Sequence, residues 1–277
     1  MNEPKEGTLE VLGASLYYKV RGTGPLLLIL QGGAGDADGS DALSKHLLET
    51  YTVVTYDRRG LSRSKAKDLA AAVGIEKHSE DACDLLAALS NEPVRVAGFS
   101  IGAVIGLDLA ARHAERVHTL LAHEPALEEL LPDEERARAM QIHEEVTQIF
   151  RREGVAAAMK KMAAISGVNF SDREPDVELP RPDSQGAARM AANMSFFLSN
   201  DAPAAHRYKL DVAALKAAPT RIVPASGRTS GETLPRHSAL ALAERLGTPV
   251  AEFPGGHSGY VLRPREFASR LREVLGA

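Results

Sequence analysis

A serine set between two glycines, at the junction of a strand and a helix, constrains this chain more than any other feature. The segment Gly98-Phe99-Ser100-Ile101-Gly102 follows the apolar run Val94–Ala97, which predicts a short buried strand, and precedes a helical pattern at 103–113. A turn this tight leaves no room for side chains beside the serine, so glycine is needed on both sides. The pattern predicts a nucleophile elbow, with Ser100 at a helix N-terminus whose free amides favour developing negative charge.

Short apolar segments alternate with helical segments along most of the chain. The segment Pro25–Leu30 is apolar throughout, as in strands that are buried on both faces of a parallel sheet. We predict strands at 8–12, 15–20, 25–30, 51–56, 94–97, 117–122, 220–223 and 249–253, and helices at 41–49, 79–88, 103–113, 234–246 and 264–275. This alternation predicts the α/β class, with a doubly wound, mostly parallel sheet of about eight strands.

The alternation stops between residues 132 and 207. No strand pattern occurs there, and we predict an acidic, Pro-rich loop at 171–184 and three helices, at 134–151, 154–165 and 187–198. The first of these helices carries an apolar stripe of Met140, Ile142, Val146 and Phe150. The prediction is a core of residues 1–131 and 208–277 with an inserted helical cap, 132–207, over the carboxyl edge of the sheet. A few Met and Phe side chains on its underside would line an apolar pocket.

Composition and charge exclude several classes of protein. The length of 277 residues suits one α/β domain with an insertion, and a formal net charge of −4 provides no basic face for nucleic acid. The single cysteine, Cys83, cannot form an intrachain disulfide, and we interpret it as a half-buried structural thiol. No apolar run reaches bilayer length, and the first residues lack a signal-peptide pattern. We predict a cytoplasmic protein that binds a small molecule, and no nucleic acid or membrane; its oligomeric state stays open.

Nearly the whole chain resembles the α/β-hydrolase fold superfamily, in particular its members with a serine nucleophile and a cap. The resemblance rests on the elbow, the early loop Gln31-Gly32-Gly33, the segment Tyr56-Asp57-Arg58-Arg59-Gly60 and the late segment Pro254-Gly255-Gly256-His257-Ser258-Gly259. In that family a catalytic triad runs nucleophile, acid and histidine along the chain. The resemblance also implies that Asp57 and Arg59 mainly brace the loop beneath the site.

His257 is the candidate base for Ser100. A serine hydroxyl needs a base whose pKa lies near the working pH, which selects histidine. Of the nine histidines, only His257 follows the last predicted strand in a glycine-lined loop, at the same sheet edge as the elbow. His113, His118 and His123 are five residues apart, a spacing that fits neither one helical face nor metal ligands. We therefore predict no metal site and no cofactor.

The acid of the triad is where this chain departs from the commonest family pattern. Most members carry an aspartate just after the penultimate strand, where this chain has Thr229 and Ser230. A second acid position in the fold follows the strand after the elbow helix. The exit of that strand, Leu120-Leu121-Ala122-His123-Glu124-Pro125, resembles the exit in haloalkane dehalogenases that use a glutamate acid. We favour Glu124, with Glu232 and a site without any acid as the alternatives.

Two backbone amides are the candidate donors to an oxyanion. One is the amide of Ile101, directly after the nucleophile, and the other, by resemblance to the family, is the amide of Gly33. Gln31 stands where histidine is usual in the family, and its amide either anchors the loop or points into the site. We expect Gln31 and Phe99 to contribute to substrate binding.

Together these residues predict a serine hydrolase of a small or medium carboxylic ester, thioester, lactone or amide, acting through an acyl-enzyme. Serine at the elbow disfavours epoxide hydrolase and dehalogenase chemistry, which use aspartate there. Gln31 and the missing late aspartate keep non-hydrolytic, cofactor-free chemistry open as the alternative: carbon–carbon cleavage, oxygenation, cyclisation or lyase chemistry. A receptor that has lost turnover is a third hypothesis, disfavoured because Ser100 and His257 are both present.

Overall fold

A nine-stranded sheet forms the centre of the computed structural model, which describes residues 5–68, 73–178 and 183–276. The strands are β1 (Lys5–Val11), β2 (Ala14–Gly22), β3 (Leu26–Leu30), β4 (Thr52–Tyr56), β5 (Lys65–Ala66), β6 (Val94–Phe99), β7 (Val117–His123), β8 (Arg221–Gly227) and β9 (Ala251–Phe253). The order across the sheet is β1-β2-β4-β3-β6-β7-β8-β9, with β5 paired to β2. Pairings from β4 to β9 are parallel, whereas β1, β2 and β5 pair antiparallel. The α/β class and the mostly parallel sheet are thereby confirmed.

Helices pack on both faces of this sheet. They are α1 (Asp41–Ser44), α2 (Ile75–Leu89), α3 (Ile101–Arg112), α4 (Asp133–Glu153), α5 (Val155–Ile165), α6 (Ser184–Phe196), α7 (Ala202–Arg207), α8 (Val212–Ala217), α9 (Leu234–Leu246), α10 (Gly259–Leu262) and α11 (Pro264–Leu275). Alternate residues of β3 face opposite sides, so Leu28 packs with α2 and α3 while Leu27 packs with α11. An all-apolar strand therefore contributes to two separate cores.

The eight strands predicted from the sequence are all present, with bounds that differ by a few residues. The two-residue strand β5 and the short helices α7, α8 and α10 were not predicted, because segments of two to six residues carry no readable hydrophobic period. The helix predicted at 41–49 ends at Ser44 and continues as turns, and α2 begins at Ile75, four residues before the predicted start.

In the described part of the chain, the helices α4 to α8 lie between β7 and β8; α4 to α7 fall within the predicted insertion, 132–207, and no strand occurs among its described residues. The predicted apolar stripe on α4 is only partly correct, because Val146 is buried whereas Met140 is exposed. Part of the predicted loop at 171–184, residues 179–182, lies outside the described residues. The division of the chain into a core and a cap stays a prediction.

Cys83 is half-buried on α2, and burial raises the pKa of its thiol. Within the described ranges, no helix combines the length and the apolar composition needed to cross a membrane.

His123, the last residue of β7, is an ionisable group in the middle of the core. Its ring is fully buried and lies against the rings of Phe99, Phe253 and Phe267, and neither ring nitrogen has a hydrogen-bond partner among the described residues. Burial lowers the pKa of His123 to about 4, from an ordinary value of 6.5. The folded protein therefore keeps His123 neutral at a pH where the unfolded chain is protonated.

We expect this histidine to make folding stability depend on pH. As the pH falls from 6.5 towards 4, His123 binds a proton in the unfolded chain but not in the folded protein. The free energy of unfolding therefore falls by up to about 1.4 kcal/mol per pH unit. Urea unfolding of the wild type and of His123→Leu across this range would measure the effect. The slope should be smaller in His123→Leu and unchanged in His118→Gln, which alters an exposed histidine of the same strand. Equal slopes in all three proteins would contradict the prediction.

Candidate active site

Ser100 occupies the strained turn between β6 and α3. Its backbone has φ 51° and ψ −117°, a positive φ that residues other than glycine rarely adopt. A Cβ on Gly98 would lie 2.6 Å from the carbonyl oxygen of Gly102, and one on Gly102 would lie 2.7 Å from that of Gln31. Both glycines are therefore required by close backbone approach, as the sequence pattern predicted. The turn places the Ser100 side chain at the N-terminus of α3.

Glu124 directly follows β7 and contacts the loop that carries His257. It is fully buried and, like Ser100, has a positive φ, 43°. His257 Nδ1 lies 2.8 Å from Glu124 Oε2, and the other oxygen, Oε1, accepts hydrogen bonds from the Gly227 amide at 2.9 Å and from the Ser230 hydroxyl. Both carboxylate oxygens thus have partners, which fixes the direction of the side chain.

The environment keeps Glu124 ionised. Burial by itself would raise the pKa of Glu124, but the hydrogen bond to His257 and the further contributions of His123 and Ser230 outweigh it and lower the pKa to about 2. An ionised carboxylate at Nδ1 selects the tautomer in which His257 carries its proton there. The Nε2 nitrogen is then left with a lone pair, which is the form that a general base requires.

The alternative acid, Glu232, lies elsewhere. It is exposed, and its carboxylate pairs with Arg236 at 3.1 Å and with His237 at 3.0 Å. The structure thus brings Glu124, and not Glu232, into hydrogen-bond contact with His257.

The candidate oxyanion loop, residues 31–33, lies beside the nucleophile. A Cβ on Gly32 would be 3.5 Å from the Ser100 Cβ, and Gly33 has a positive φ of 49°. In the described part of the chain, the amides of Gly33 and Ile101 donate no hydrogen bond. Both amides are therefore free to donate to a bound group, as the prediction of an oxyanion site requires.

Arg58 binds the backbone of this loop through its side chain. Its buried guanidinium donates to the carbonyl oxygen of Gln31 at 3.0 Å and to that of Gly33. The same guanidinium pairs at 3.0 Å with Asp201, which lies at the end of a π-helical turn leading into α7, and Asp201 also contacts His78 at 3.2 Å. One buried network therefore joins the loop beside Ser100 to the helical insertion.

Removing the charge of Asp201 should be costly. Its carboxylate is fully buried; burial opposes ionisation, but His78 and Arg58 outweigh it and lower its pKa. In Asp201→Asn the buried Arg58 would lose its counter-charge, so we expect the free energy of unfolding to fall by about 3 kcal/mol or more in urea titrations. Asp176→Asn, which breaks an exposed pair with Arg265, is the matched control and should change stability little. Equal stabilities of the two variants would show that the buried pair contributes nothing.

Neither of the two remaining candidates for substrate contact lines the cavity beside Ser100. Gln31 is buried, and its Oε1 accepts a hydrogen bond from Ser40 at 2.7 Å, so it anchors the loop; its Nε2 has no partner among the described residues. Phe99 is fully buried and stacks on Tyr260 with ring centroids 4.0 Å apart. Because alternate side chains of β6 face opposite sides, Phe99 points into the core and does not line the cavity beside Ser100.

A narrow cavity lies between Ser100 and the helical insertion. Most of its lining is apolar: Ile101, Ala126, Met162, Ile165, Phe197, Ala202, Ala205, Leu234 and Pro235. Besides Ser100 and Ser166, the polar lining consists of Glu128, His143 and His206. These last three side chains also form a cluster that the histidine spacing in the sequence did not reveal.

Sequence reasoning missed several residues of this site. Arg58, Asp201 and Ser230 interact with partners 25 to 143 positions away, and no local period connects such pairs. The one indication in the sequence was the absence of a carboxylate at the usual acid position, where Thr229 and Ser230 stand.

An open, mostly parallel sheet with a strained serine elbow, and with a histidine–carboxylate pair at the same edge, defines a class of α/β enzymes. Comparison with known proteins agrees: a family profile described as "alpha/beta hydrolase fold" matches residues 25–191. The chain is 41% identical over 273 residues to the uncharacterized hydrolase YraK of Bacillus subtilis (strain 168), covering 97% of this chain and 95% of that protein.

Solved structures agree on the fold. The enol-lactonase from Burkholderia xenovorans LB400 superposes with a TM-score of 0.73 at 19% identity, covering 98% of this chain and 100% of the other. A thermophilic esterase from Thermogutta terrifontis gives a TM-score of 0.73 at 18% identity, covering 99% and 98% of the two chains. The chain belongs to the α/β hydrolase fold family, and it is an enzyme with hydrolase activity.

Proposed function

We propose that this protein is a serine hydrolase of a small or medium carboxylic ester, thioester, lactone or amide, with Ser100, His257 and Glu124 as its catalytic triad. The observation that carries the proposal is the buried Glu124 carboxylate at 2.8 Å from His257 Nδ1, at the sheet edge that also carries the strained Ser100. A histidine oriented in this way serves to activate a serine hydroxyl.

In the proposed mechanism, His257 Nε2 takes the proton of the Ser100 hydroxyl while the serine oxygen bonds to the substrate carbonyl carbon. The negative charge on the former carbonyl oxygen is held by the amides of Ile101 and Gly33, each worth about 10²- to 10³-fold in rate. The bond to the leaving group breaks, and the leaving group takes the proton from His257. Water, deprotonated by His257, then bonds to the acyl carbon, the bond to the Ser100 oxygen breaks, and that oxygen takes the proton back from His257 as the acid is released.

The ion pair between Glu124 and His257 also bears on the alternative of non-hydrolytic chemistry. That alternative rested on Gln31 and on the missing late aspartate, because a histidine without an acid would act as a base towards substrate. With Glu124 in contact, His257 has the partner that stabilises its protonated form, and this favours serine activation over the alternative. The helices over Ser100 would act as a cap that encloses the substrate in the largely apolar cavity, and we place the enzyme in the cytoplasm.

Labelling with a fluorophosphonate, followed by peptide mass spectrometry, tests the nucleophile directly. We expect one adduct, on the tryptic peptide that contains Ser100, and loss of turnover of short p-nitrophenyl esters in proportion to labelling. An adduct on a different serine, or turnover that survives complete labelling of Ser100, would rule out the proposed mechanism. Ester turnover with release of free acid also distinguishes hydrolysis from the non-hydrolytic alternative.

A further inference from the structure

Three side chains from separate elements meet in the wall of the cavity beside Ser100. Glu128 lies on a single 3₁₀ turn, residues 128–130, that follows β7, while His143 lies on α4 and His206 on α7. One carboxylate oxygen and one nitrogen of each imidazole lie within 4.8 Å of one another. Among the described residues this is the one group of His, Cys, Asp or Glu side chains that converges so closely. We call these three residues the His–Glu cluster.

The polar atoms of the cluster are spaced like the ligands of a single ion. Glu128 Oε1 is 3.1 Å from His143 Nε2, and Oε2 is 3.4 Å from His206 Nδ1. Two atoms bonded to one Zn²⁺ at tetrahedral angles, each at about 2.0–2.1 Å, lie about 3.3 Å apart. Both imidazoles thus direct a nitrogen at the same carboxylate, at separations that an ion between them would bridge.

A cation would supply the counter-charge that Glu128 needs. Its carboxylate is buried, and in the part of the chain that the structure describes its ionic partners are His143 and His206 alone. A buried carboxylate is costly without a positive partner, and neutral imidazoles provide hydrogen bonds but no charge. A divalent ion neutralises the carboxylate and binds imidazole in its neutral form. The cluster therefore favours a cation over an anion.

The two imidazole rings have to turn apart when an ion binds. They stack with centroids 3.3 Å apart and 24° between their planes, whereas a metal lies in the plane of each imidazole that it binds. Both rings line the cavity beside Ser100 and a second cavity that adjoins it, so there is space for this rotation. His143 and His206 lie on different helices, and each ring can rotate about its own side-chain bonds.

The chemistry of the three side chains selects the kind of ion. Two imidazole nitrogens and one carboxylate suit Zn²⁺ and its first-row neighbours, whereas Mg²⁺ and Ca²⁺ take oxygen ligands. Three protein ligands leave a fourth position on a tetrahedral ion, and that position can face the cavity that all three side chains line. The two histidines lie 15 and 78 positions from Glu128, so local spacing in the sequence predicts no metal site here.

We propose that the His–Glu cluster binds one divalent transition-metal ion of the Zn²⁺ type through Glu128, His143 and His206. The ion ties α4 and α7 to the turn that follows β7, and so holds part of the helical insertion at the cavity beside Ser100. The site shares no residue with the proposed triad, and the proposed mechanism at Ser100 does not involve the ion. The inference therefore does not depend on the proposed function.

Calorimetric titration with ZnCl₂, after dialysis of the protein against EDTA and into a buffer that does not chelate, tests the site. We expect the wild type to bind one Zn²⁺ per chain. His143→Gln and His206→Gln should each weaken binding by at least about 100-fold, because even the loss of a ligand's hydrogen-bond partner costs about 10- to 100-fold. His237→Gln is the matched control and should bind Zn²⁺ like the wild type. Its carboxylate partners, Glu135 and Glu232, contact opposite ring nitrogens and cannot share one ion with it.

Melting temperatures in Zn²⁺ and in EDTA separate lost binding from lost folding. Zn²⁺ at about 100 times its wild-type Kd should raise the melting temperature of the wild type and of His237→Gln by about 5 °C, and EDTA should reverse the shift. His143→Gln and His206→Gln should melt cooperatively and shift by no more than about 1 °C. Binding that survives in both variants, no binding in the wild type, or loss of binding in His257→Gln alone would overturn the site. None of these outcomes involves ester turnover, so each leaves the proposed function intact.

Discussion

Replacing Ser100 with alanine is expected to lower kcat/KM for any ester that the enzyme turns over by at least about 10⁴-fold. The alanine variant keeps the oxyanion amides and the cavity, so the loss isolates the nucleophile, and members of a triad typically contribute on this scale. The strained φ of 51° at position 100 is a cost that alanine shares, so the variant should be no more stable than the wild type through relief of this turn. Steady-state assays with p-nitrophenyl butyrate measure the effect.

Ser269→Ala is the matched control for this experiment, because Ser269 is an exposed serine on α11. Its kcat/KM should stay within about twofold of the wild type. If Ser100→Ala retained more than about 1% of wild-type activity while its fluorophosphonate labelling was lost, Ser100 would not be the catalytic nucleophile.

The second large effect is expected for Glu124→Gln, which should lower kcat by about 10³- to 10⁴-fold. Glutamine has nearly the same shape, but it carries no charge to stabilise the imidazolium of His257. Its amide NH₂ can also donate towards Nδ1, which would stabilise the wrong tautomer of the base. The loss should appear in kcat far more than in KM, because Glu124 lies behind the histidine and does not line the cavity.

Glu232→Gln provides the control for the position of the acid. Glu232 is an exposed carboxylate that pairs with Arg236 and His237, so its replacement should change kcat by no more than about twofold. If Glu232→Gln lost activity by orders of magnitude and Glu124→Gln did not, the acid of the triad would be Glu232, after β8, and the proposed triad would be wrong. Glu124→Asp should fall between the wild type and Glu124→Gln, since it keeps the charge but shortens the reach to His257.

The buried interactions explain why such variants need checks of folding. Glu124 also accepts hydrogen bonds from the Gly227 amide and the Ser230 hydroxyl, so it holds the end of β8 against the end of β7. A glutamine oxygen can accept both of these hydrogen bonds only when its NH₂ group is directed at His257 Nδ1, and the opposite orientation leaves both donors unpaired. Urea unfolding of each variant therefore accompanies the kinetics, and a variant that is folded at the assay temperature gives an interpretable rate.

Local patterns in the sequence were sufficient for the elements that are specified by neighbouring residues. The two glycines around Ser100 predicted the turn because the backbone approaches itself within a few residues there, and the apolar run Pro25–Leu30 predicted a doubly buried strand because both of its faces are covered. His257 could be selected from nine histidines by its place after the last strand. In each case the physical constraint acts over a short stretch of chain.

The fold family supplied a choice between two acid positions, but it did not decide between them. Glu124 and Glu232 both follow strands of the sheet, and the distances between residues that are more than a hundred positions apart depend on how β7, β8 and the histidine loop pack. The structure brings Glu124 to His257 and turns Glu232 towards solvent. Phe99 was assigned to substrate binding because it adjoins the nucleophile in sequence, whereas the alternation of side chains along β6 places it in the opposite core.

Local sequence patterns were enough to specify the α/β alternation, the serine elbow and the histidine loop, because each depends on backbone conformation and hydrophobic period within a few residues. Three features depend on packing between distant elements: the partner of His257, the network of Arg58 and Asp201 against residues 31–33, and the cluster of Glu128 with two histidines. These are pairings of charged or polar groups that become strong only when the fold removes them from water together. No short sequence pattern predicts which polar groups the fold will bury next to each other.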